Sequence, residues 1–351
     1  MSADAFAAAR DLLAAAHASR AFPAVVVEVG TERGSLWQHV AGTLTYDKDA
    51  APARLDTWFD LASLTKVIVT VPIAMRLVQA NRLPLDAPVS AWLEGWSAGA
   101  RADVRVRHLL DHSSGLPAYA PLWRRARGRA AFARAIAEMP LEYVPGSRSV
   151  YSDLGFILLG VILEDAGSAP LDRQFADLGA ALGEVAFTPP ATLRPRIAPT
   201  EVQPDRGLVH GEVHDENAAA LGGVAAHAGL FGTAAAVAAY ARLVLRTMRE
   251  PTPLGTPEVM QSFARRTGVS GSSRALGWDT MLPTSSCGTL MSPTAIGHTG
   301  FTGTSLWIDL ERGVYVVLLT NRVHPTGDNE QLRDLRPRLH DAIMAALMAP
   351  S

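Results

Sequence analysis

The chain alternates between two kinds of pattern. PAVVVEVG (23 to 30), a turn-like TERGS and LWQHVAGTLTYD (36 to 47) read as strand, turn, strand. Near the other end TSLWIDL sets Leu306, Ile308 and Leu310 against Ser305, Trp307 and Asp309, then ERG turns into VYVVLLT, a second hairpin. Between the hairpins the apolar spacing is mostly helical, over 63 to 82, 103 to 112, 130 to 138, 153 to 166 and 233 to 249. The first residues, up to Phe22, read as an amphipathic helix. From Asp328 the tail carries Leu332, Leu335, Leu339, Ile343 and Leu347 at helical spacing, with Pro337 expected to start or kink a turn.

Strands at both ends and helices between predict an α/β (α+β) fold: one antiparallel sheet built from both chain ends and flanked by helices, with an all-helical inserted region. Residues 1–61 plus 268–351 form the expected α/β sandwich domain and 62–267 the mainly helical domain, with a cleft where they meet. The segments from about Pro117 to Pro145 and from Leu171 to Gly211 read as loops around that cleft.

Composition narrows the function. At 351 residues, 48% hydrophobic and 19% charged with a formal net charge of -2, the chain has an ordinary globular make-up. No field for nucleic acid or membrane is implied, so the expected partner is a small-molecule or peptide-like substrate; oligomeric state is not legible. The single cysteine, Cys287, allows neither an internal disulfide nor a cysteine-based zinc site. Charges at Asp4, Arg10 and Asp11 interrupt any secretion-signal run. Residues 221 to 241 lack formal charge over a membrane-spanning length, but Gly232-Thr233 reads as a break followed by a helix cap. A cytoplasmic location is the expectation. His214, Asp215, Glu216 and His227 fit no dedicated zinc spacing, and neither metal nor cofactor is expected. The arginines at 124, 125, 127 and 129 read as a solvated face.

Lysine usage is the sharpest signal. Arginine supplies nearly all the positive charge; the two lysines are Lys48 and Lys66, and the latter sits in the apolar FDLASLTKVIVT (59 to 70). If a helix begins at Ser63, the Ser63 and Lys66 side chains share a face one turn apart. A serine hydroxyl needs a group to take its proton, and arginine cannot titrate to do so. Burial and the helix dipole are expected to disfavour the charge on Lys66. Two further segments bear on the same chemistry. In VYSDLGFILLG (150 to 160), Tyr151 precedes an apolar helix capped by Ser152 or Asp153. In GHTGFTGTSLWIDL (297 to 310), small residues lead into a strand along which a substrate can lie.

Together these segments resemble the serine β-lactamase and penicillin-binding protein superfamily, whose order is Ser-x-x-Lys, Tyr-x-Asn, Lys-Thr-Gly. Here they read Ser63-Leu64-Thr65-Lys66, Tyr151-Ser152-Asp153 and His298-Thr299-Gly300. The tyrosine form is similar to class C β-lactamases, the D,D-peptidases like them and related esterases; HLLDHSSGLP (108 to 117) looks like another segment of that group. The resemblance implies a β-lactamase/transpeptidase-like fold. It also implies a serine hydrolase that cleaves an amide or ester through an acyl-enzyme, with Ser63, Lys66 and Tyr151 catalytic. Asp153, His298, Thr299, Gly300 and Phe301 would bind substrate or the oxyanion, the latter through the N–H groups of Ser63 and Phe301.

Two departures stand out. Asp153 replaces an amide with an acceptor that can carry charge, and His298 replaces a fixed cation. Both count against an efficient antibiotic-degrading β-lactamase. GEVHDENAAALGGVAAHAGLFGTA (211 to 234) and TNRVHPTGDN (320 to 329) look like segments of bacterial relatives linked to peptidoglycan turnover, including a muramyl-peptide amidase. A carboxylesterase of small acyl esters and a catalytically inactive peptidoglycan-fragment binding protein are the alternatives.

Overall fold

The computed structural model describes residues 5–349. Its main sheet has six antiparallel strands in the spatial order Gly34–Gly42, Ala24–Thr31, Val314–Thr320, Ser305–Asp309, Ile296–Thr299 and Asp279–Thr280. The two hairpins read from the sequence are therefore joined edge to edge, with Val25 opposite Thr320 and Thr31 opposite Val314. The strand expected to run to Asp47 ends at Gly42, whose φ of +84° turns the chain under the backbone carbonyl of Pro23. A Cβ there would lie 1.9 Å from that oxygen, so only glycine fits.

Both sheet faces are covered, which explains why these strands are apolar on successive residues. Val25, Val27, Val29, Trp307, Val316 and Leu318 point to a core shared with helices Ala7–Ala18 and Gln331–Met348. Val26, Leu306, Ile308, Val317 and Leu319 point to the larger core shared with the helices of the middle of the chain. The C-terminal helix continues through Pro337 rather than starting there.

The middle of the chain is not wholly helical as expected. Phe59–Asp60, Leu230–Gly232 and Val185–Phe187 form a small sheet, and Val202–Gln203 pairs with Gly207–Leu208. Helices Leu171–Leu182 and Pro257–Ala264 occupy stretches with no helix assigned from sequence. The first had a legible pattern: Leu171, Phe175, Leu178 and Leu182 recur at helical spacing behind Pro170 and are buried. The apolar stretch 221 to 241 does divide at Gly232. Thr233 caps helix Ala234–Thr247 by accepting the Ala236 N–H at 3.3 Å. No single helix among the described residues is long and apolar enough to cross a membrane.

The helix after Ser63 is irregular over the turns that lead up to Pro72. From Lys66 to Thr70 the turns widen, so that the Val71 N–H bonds to the Lys66 carbonyl five residues back. In that register residue 72 would answer the Val67 carbonyl, but it is proline and has no N–H. The Tyr240 hydroxyl, from helix Ala234–Thr247, donates to the Val67 carbonyl instead. The substitution Tyr240→Phe should leave a buried carbonyl without its donor and lower stability by about 1–3 kcal/mol in urea unfolding. An unchanged midpoint would show that Val67 is satisfied within the helix.

Candidate active site

Ser63 enters on a strained turn. Strand Phe59–Asp60 pairs with Leu230–Gly232, and the chain then reverses through Ala62 at φ +47°, a left-handed value that a non-glycine residue adopts only under constraint. The constraint is the buried Asp60 carboxylate. Its Oδ1 accepts the Ala62 N–H at 2.8 Å and its Oδ2 the His214 N–H at 2.7 Å. Burial pushes the Asp60 carboxyl up, and those two N–H groups partly offset the effect. After Ala62, successive bonds to the third residue back, ending with Lys66 N–H to Ser63 carbonyl at 3.1 Å, form a tight turn. At three residues per turn, side chains 63 and 66 eclipse.

The result is direct contact. Lys66, with no solvent exposure, donates to Ser63 Oγ at 3.0 Å, to Asp153 Oδ1 at 2.7 Å and to the His227 carbonyl at 3.0 Å. Burial opposes its charge. The Asp153 carboxylate and Tyr151 outweigh that, and the Lys66 pKa stands above the ordinary lysine value. This reverses the expectation of a depressed lysine: the sequence puts the amine in an apolar run, and only the fold brings a carboxylate onto it.

Tyr151 completes the group. Its hydroxyl donates to Ser63 Oγ at 2.8 Å, and burial pushes its pKa up against the opposing effect of Lys66. The following helix, Asp153–Gly167, is capped by Ser152, which accepts the Gly155 N–H at 3.2 Å. That cap places Tyr151 on the incoming loop and Asp153 in the first turn, both facing Lys66. His112, absent from the sequence assignment, holds this loop. Its Nδ1 accepts the Ser152 N–H at 3.1 Å and its ring lies 4.6 Å from that of Tyr151. Burial keeps both His112 and His298 neutral by lowering their pKa values well below the usual one.

His298 and Thr299 lie on strand Ile296–Thr299, and Gly300 and Phe301 on the turn that follows. The His298 ring is 5.8 Å from Tyr151, and its Nδ1 donates to the Thr299 carbonyl at 2.8 Å. Gly300 is required by proximity, since a Cβ would stand 2.1 Å from Thr304 Oγ1 and 2.7 Å from the Leu61 carbonyl. Two threonines tie this turn to the one that carries Ser63: Thr302 Oγ1 donates to the Asp60 carbonyl at 2.7 Å and Thr304 Oγ1 to the Leu61 carbonyl at 3.0 Å. Among the described residues, neither the Ser63 nor the Phe301 N–H has a backbone acceptor. Phe301, half exposed, lies between the His214 ring, at 5.5 Å, and the Arg322 guanidinium, 4.7 Å from its centroid.

These side chains line a cleft of about 650 Å³ that takes in Ser63, Tyr151, Asp153, His298, Thr299, Gly300 and Phe301. It thus brings together the members of the sequence-predicted set other than Lys66, which lies buried behind them. Arg274 adds a cation, its guanidinium 5.1 Å from the Tyr151 ring centroid and within 4.0 Å of no carboxylate among the described residues. Three of the four residues weighed as metal ligands have partners of their own. His227 pairs with Asp215 at 2.9 Å and His214 with Glu201 at 2.8 Å, while Asp215 also caps helix Glu216–Ala220. Burial would raise the Asp215 carboxyl, but His227 and the cap hold it at about 2. Arg274, Asp60 and the two threonines gave no sequence signal of their own. His112 did, within HLLDHSSGLP.

The sequence profile of the family described as Beta-lactamase matches residues 9–340. A protein of Escherichia coli (strain K12), provisionally named D-alanyl-D-alanine carboxypeptidase, is 31% identical over 322 residues, covering 80% of this chain and 72% of the relative. Among solved structures, a penicillin-binding protein homologue from Caulobacter crescentus superposes with a TM-score of 0.75 at 21% identity, covering 98% of each chain. EstCE1, a hydrolase with promiscuous acyltransferase activity, superposes equally well, with a TM-score of 0.75 at 22% identity over 95% of this chain and 99% of that one. Match and geometry agree on one assignment: the chain belongs to the Beta-lactamase family and is a serine hydrolase.

Proposed function

We propose that the protein cleaves an amide bond in a peptide-like substrate through an acyl-enzyme on Ser63. The observation that carries this reading is the three-way contact of Ser63 Oγ with Lys66 Nζ at 3.0 Å and Tyr151 OH at 2.8 Å, at the floor of an open cleft. Ser63 attacks the carbonyl carbon, and its proton passes into the Lys66 and Tyr151 pair, which returns one to the leaving group. The N–H groups of Ser63 and Phe301 receive the developing oxyanion; one such donor is commonly worth about 3 kcal/mol. Thr302 and Thr304 set the spacing of that pair, because they bind the turn bearing one donor to the turn bearing the other. Water then releases the acyl group.

Arg274 supports a substrate with a carboxylate near the scissile bond. It restores beside Tyr151 the fixed positive charge that His298, held neutral by burial, does not provide. The name of the Escherichia coli relative points the same way, toward a free-carboxylate peptide. Muramyl peptides and their fragments satisfy this description and remain the substrate we favour within the class. Hydrolysis of small acyl esters is the second reading, favoured by the same neutral His298.

Ser63→Ala should abolish covalent labelling by an acylating probe, read by intact mass, while circular dichroism stays unchanged; full turnover in that variant would rule out the mechanism. Lys66→Arg should be nearly as inactive as Lys66→Ala, because arginine cannot pass on a proton. Arg274→Ala should raise KM about tenfold or more for carboxylate-bearing peptides and leave neutral p-nitrophenyl esters little changed. Equal effects on both substrates would remove the argument for a carboxylate.

A further inference from the structure

The contacts of Lys66 leave an unsolved step in proton transfer. An ammonium has three protons and no lone pair, and Lys66 directs all three, to Ser63 Oγ, Asp153 Oδ1 and the His227 carbonyl. It cannot take the Ser63 proton until it has lost one of its own. A peptide carbonyl will not hold that proton, and Ser63 is the group being deprotonated. Tyr151, the other neighbour of Ser63 Oγ, is itself a protonated donor kept so by burial. His298 donates through Nδ1 to the Thr299 carbonyl and His112 accepts the Ser152 N–H through Nδ1, and neither ring is hydrogen-bonded to Lys66 or Ser63. The remaining partner is the carboxylate 2.7 Å from Nζ.

We propose that Asp153 is the final acceptor of the Ser63 proton, with Lys66 passing it along. This rests on the acyl-enzyme reading above. As the Ser63 Oγ–carbon bond forms, the Oγ–H bond breaks and its proton goes to Lys66 Nζ, while a Lys66 proton moves to Asp153 Oδ1; the carbonyl electron pair moves to the oxyanion. Lys66 is an ammonium before and after, and Asp153 becomes a carboxylic acid. On collapse, the bond to the leaving group breaks and that group takes the Tyr151 hydroxyl proton. Tyr151 is refilled from Lys66 and Lys66 from Asp153, which restores the carboxylate. An asparagine at 153 could accept the same hydrogen bond from Lys66, but an amide oxygen is far too weak a base to keep the proton. The residue type therefore separates holding the lysine in place from accepting its proton. The side chain of Asp153 is 21% exposed at the cleft, so it can relax as its charge changes.

Single-turnover acylation of Asp153→Asn by a p-nitrophenyl ester tests this. We expect acylation slowed about 100-fold with little change in KM, and Asp153→Glu at least about tenfold faster than the asparagine variant. Acylation by Asp153→Asn within about threefold of the natural chain would overturn the proposal. Should the variants fail to fold, the proton inventory of acylation by the natural chain in mixed light and heavy water decides. A bowed plot is expected for two protons in flight, and a straight line overturns the proposal. Loss of the mass adduct in Ser63→Ala tests the acyl-enzyme reading separately, whichever way Asp153 behaves.

Discussion

A buried cation must be surrounded by acceptors or it will not stay buried. Lys66 meets that demand with oxygens from three parts of the chain: its own turn at Ser63, the helix start at Asp153 and the loop carbonyl of His227. Each acceptor is fixed by something else. Ser63 is set by the strained turn at Ala62, Asp153 by the Ser152 cap, and His227 by its pairing with Asp215. The ammonium is thus the point at which three locally determined pieces are brought into register, and the hydroxyl it touches is placed as a by-product of its own solvation.

The second dependence is mechanical. The N–H groups of Ser63 and Phe301, proposed above to receive the oxyanion, can do so only if their separation is fixed before the reaction. Here the two turns are bound by threonine hydroxyls reaching the carbonyls of Asp60 and Leu61, with a glycine at 300 allowing the approach. Arg336 reinforces the outer turn by donating to the Thr304 carbonyl at 3.0 Å. The two hydroxyls act by holding one turn against the other.

How much of this was legible follows from what kind of information each feature needs. The hairpins and most helices were visible because periodicity is local, and the order of the three motifs carried the site. The contact of Ser63 with Lys66 was visible because three residues span one turn. The charge state of Lys66 was not, since it depends on Asp153, 87 residues away. The helix at Leu171–Leu182 was missed although its apolar spacing was present, masked by a neighbourhood rich in proline and glycine. The short strands Phe59–Asp60 and Val185–Phe187 were out of reach, because two or three residues carry no period.

The central pairing of the main sheet has a consequence for synthesis. Ala24 donates its N–H to the Asn321 side chain, 297 residues further along. A nascent polypeptide therefore leaves the ribosome with its first hairpin already long enough to form but lacking the neighbour that closes its inner edge. Contacts this distant in the chain slow folding and leave apolar strands open to wrong partners. The turn that carries Phe301 is synthesised long after the one that carries Ser63, so the two can be joined through Thr302 and Thr304 only once the second hairpin has been reached.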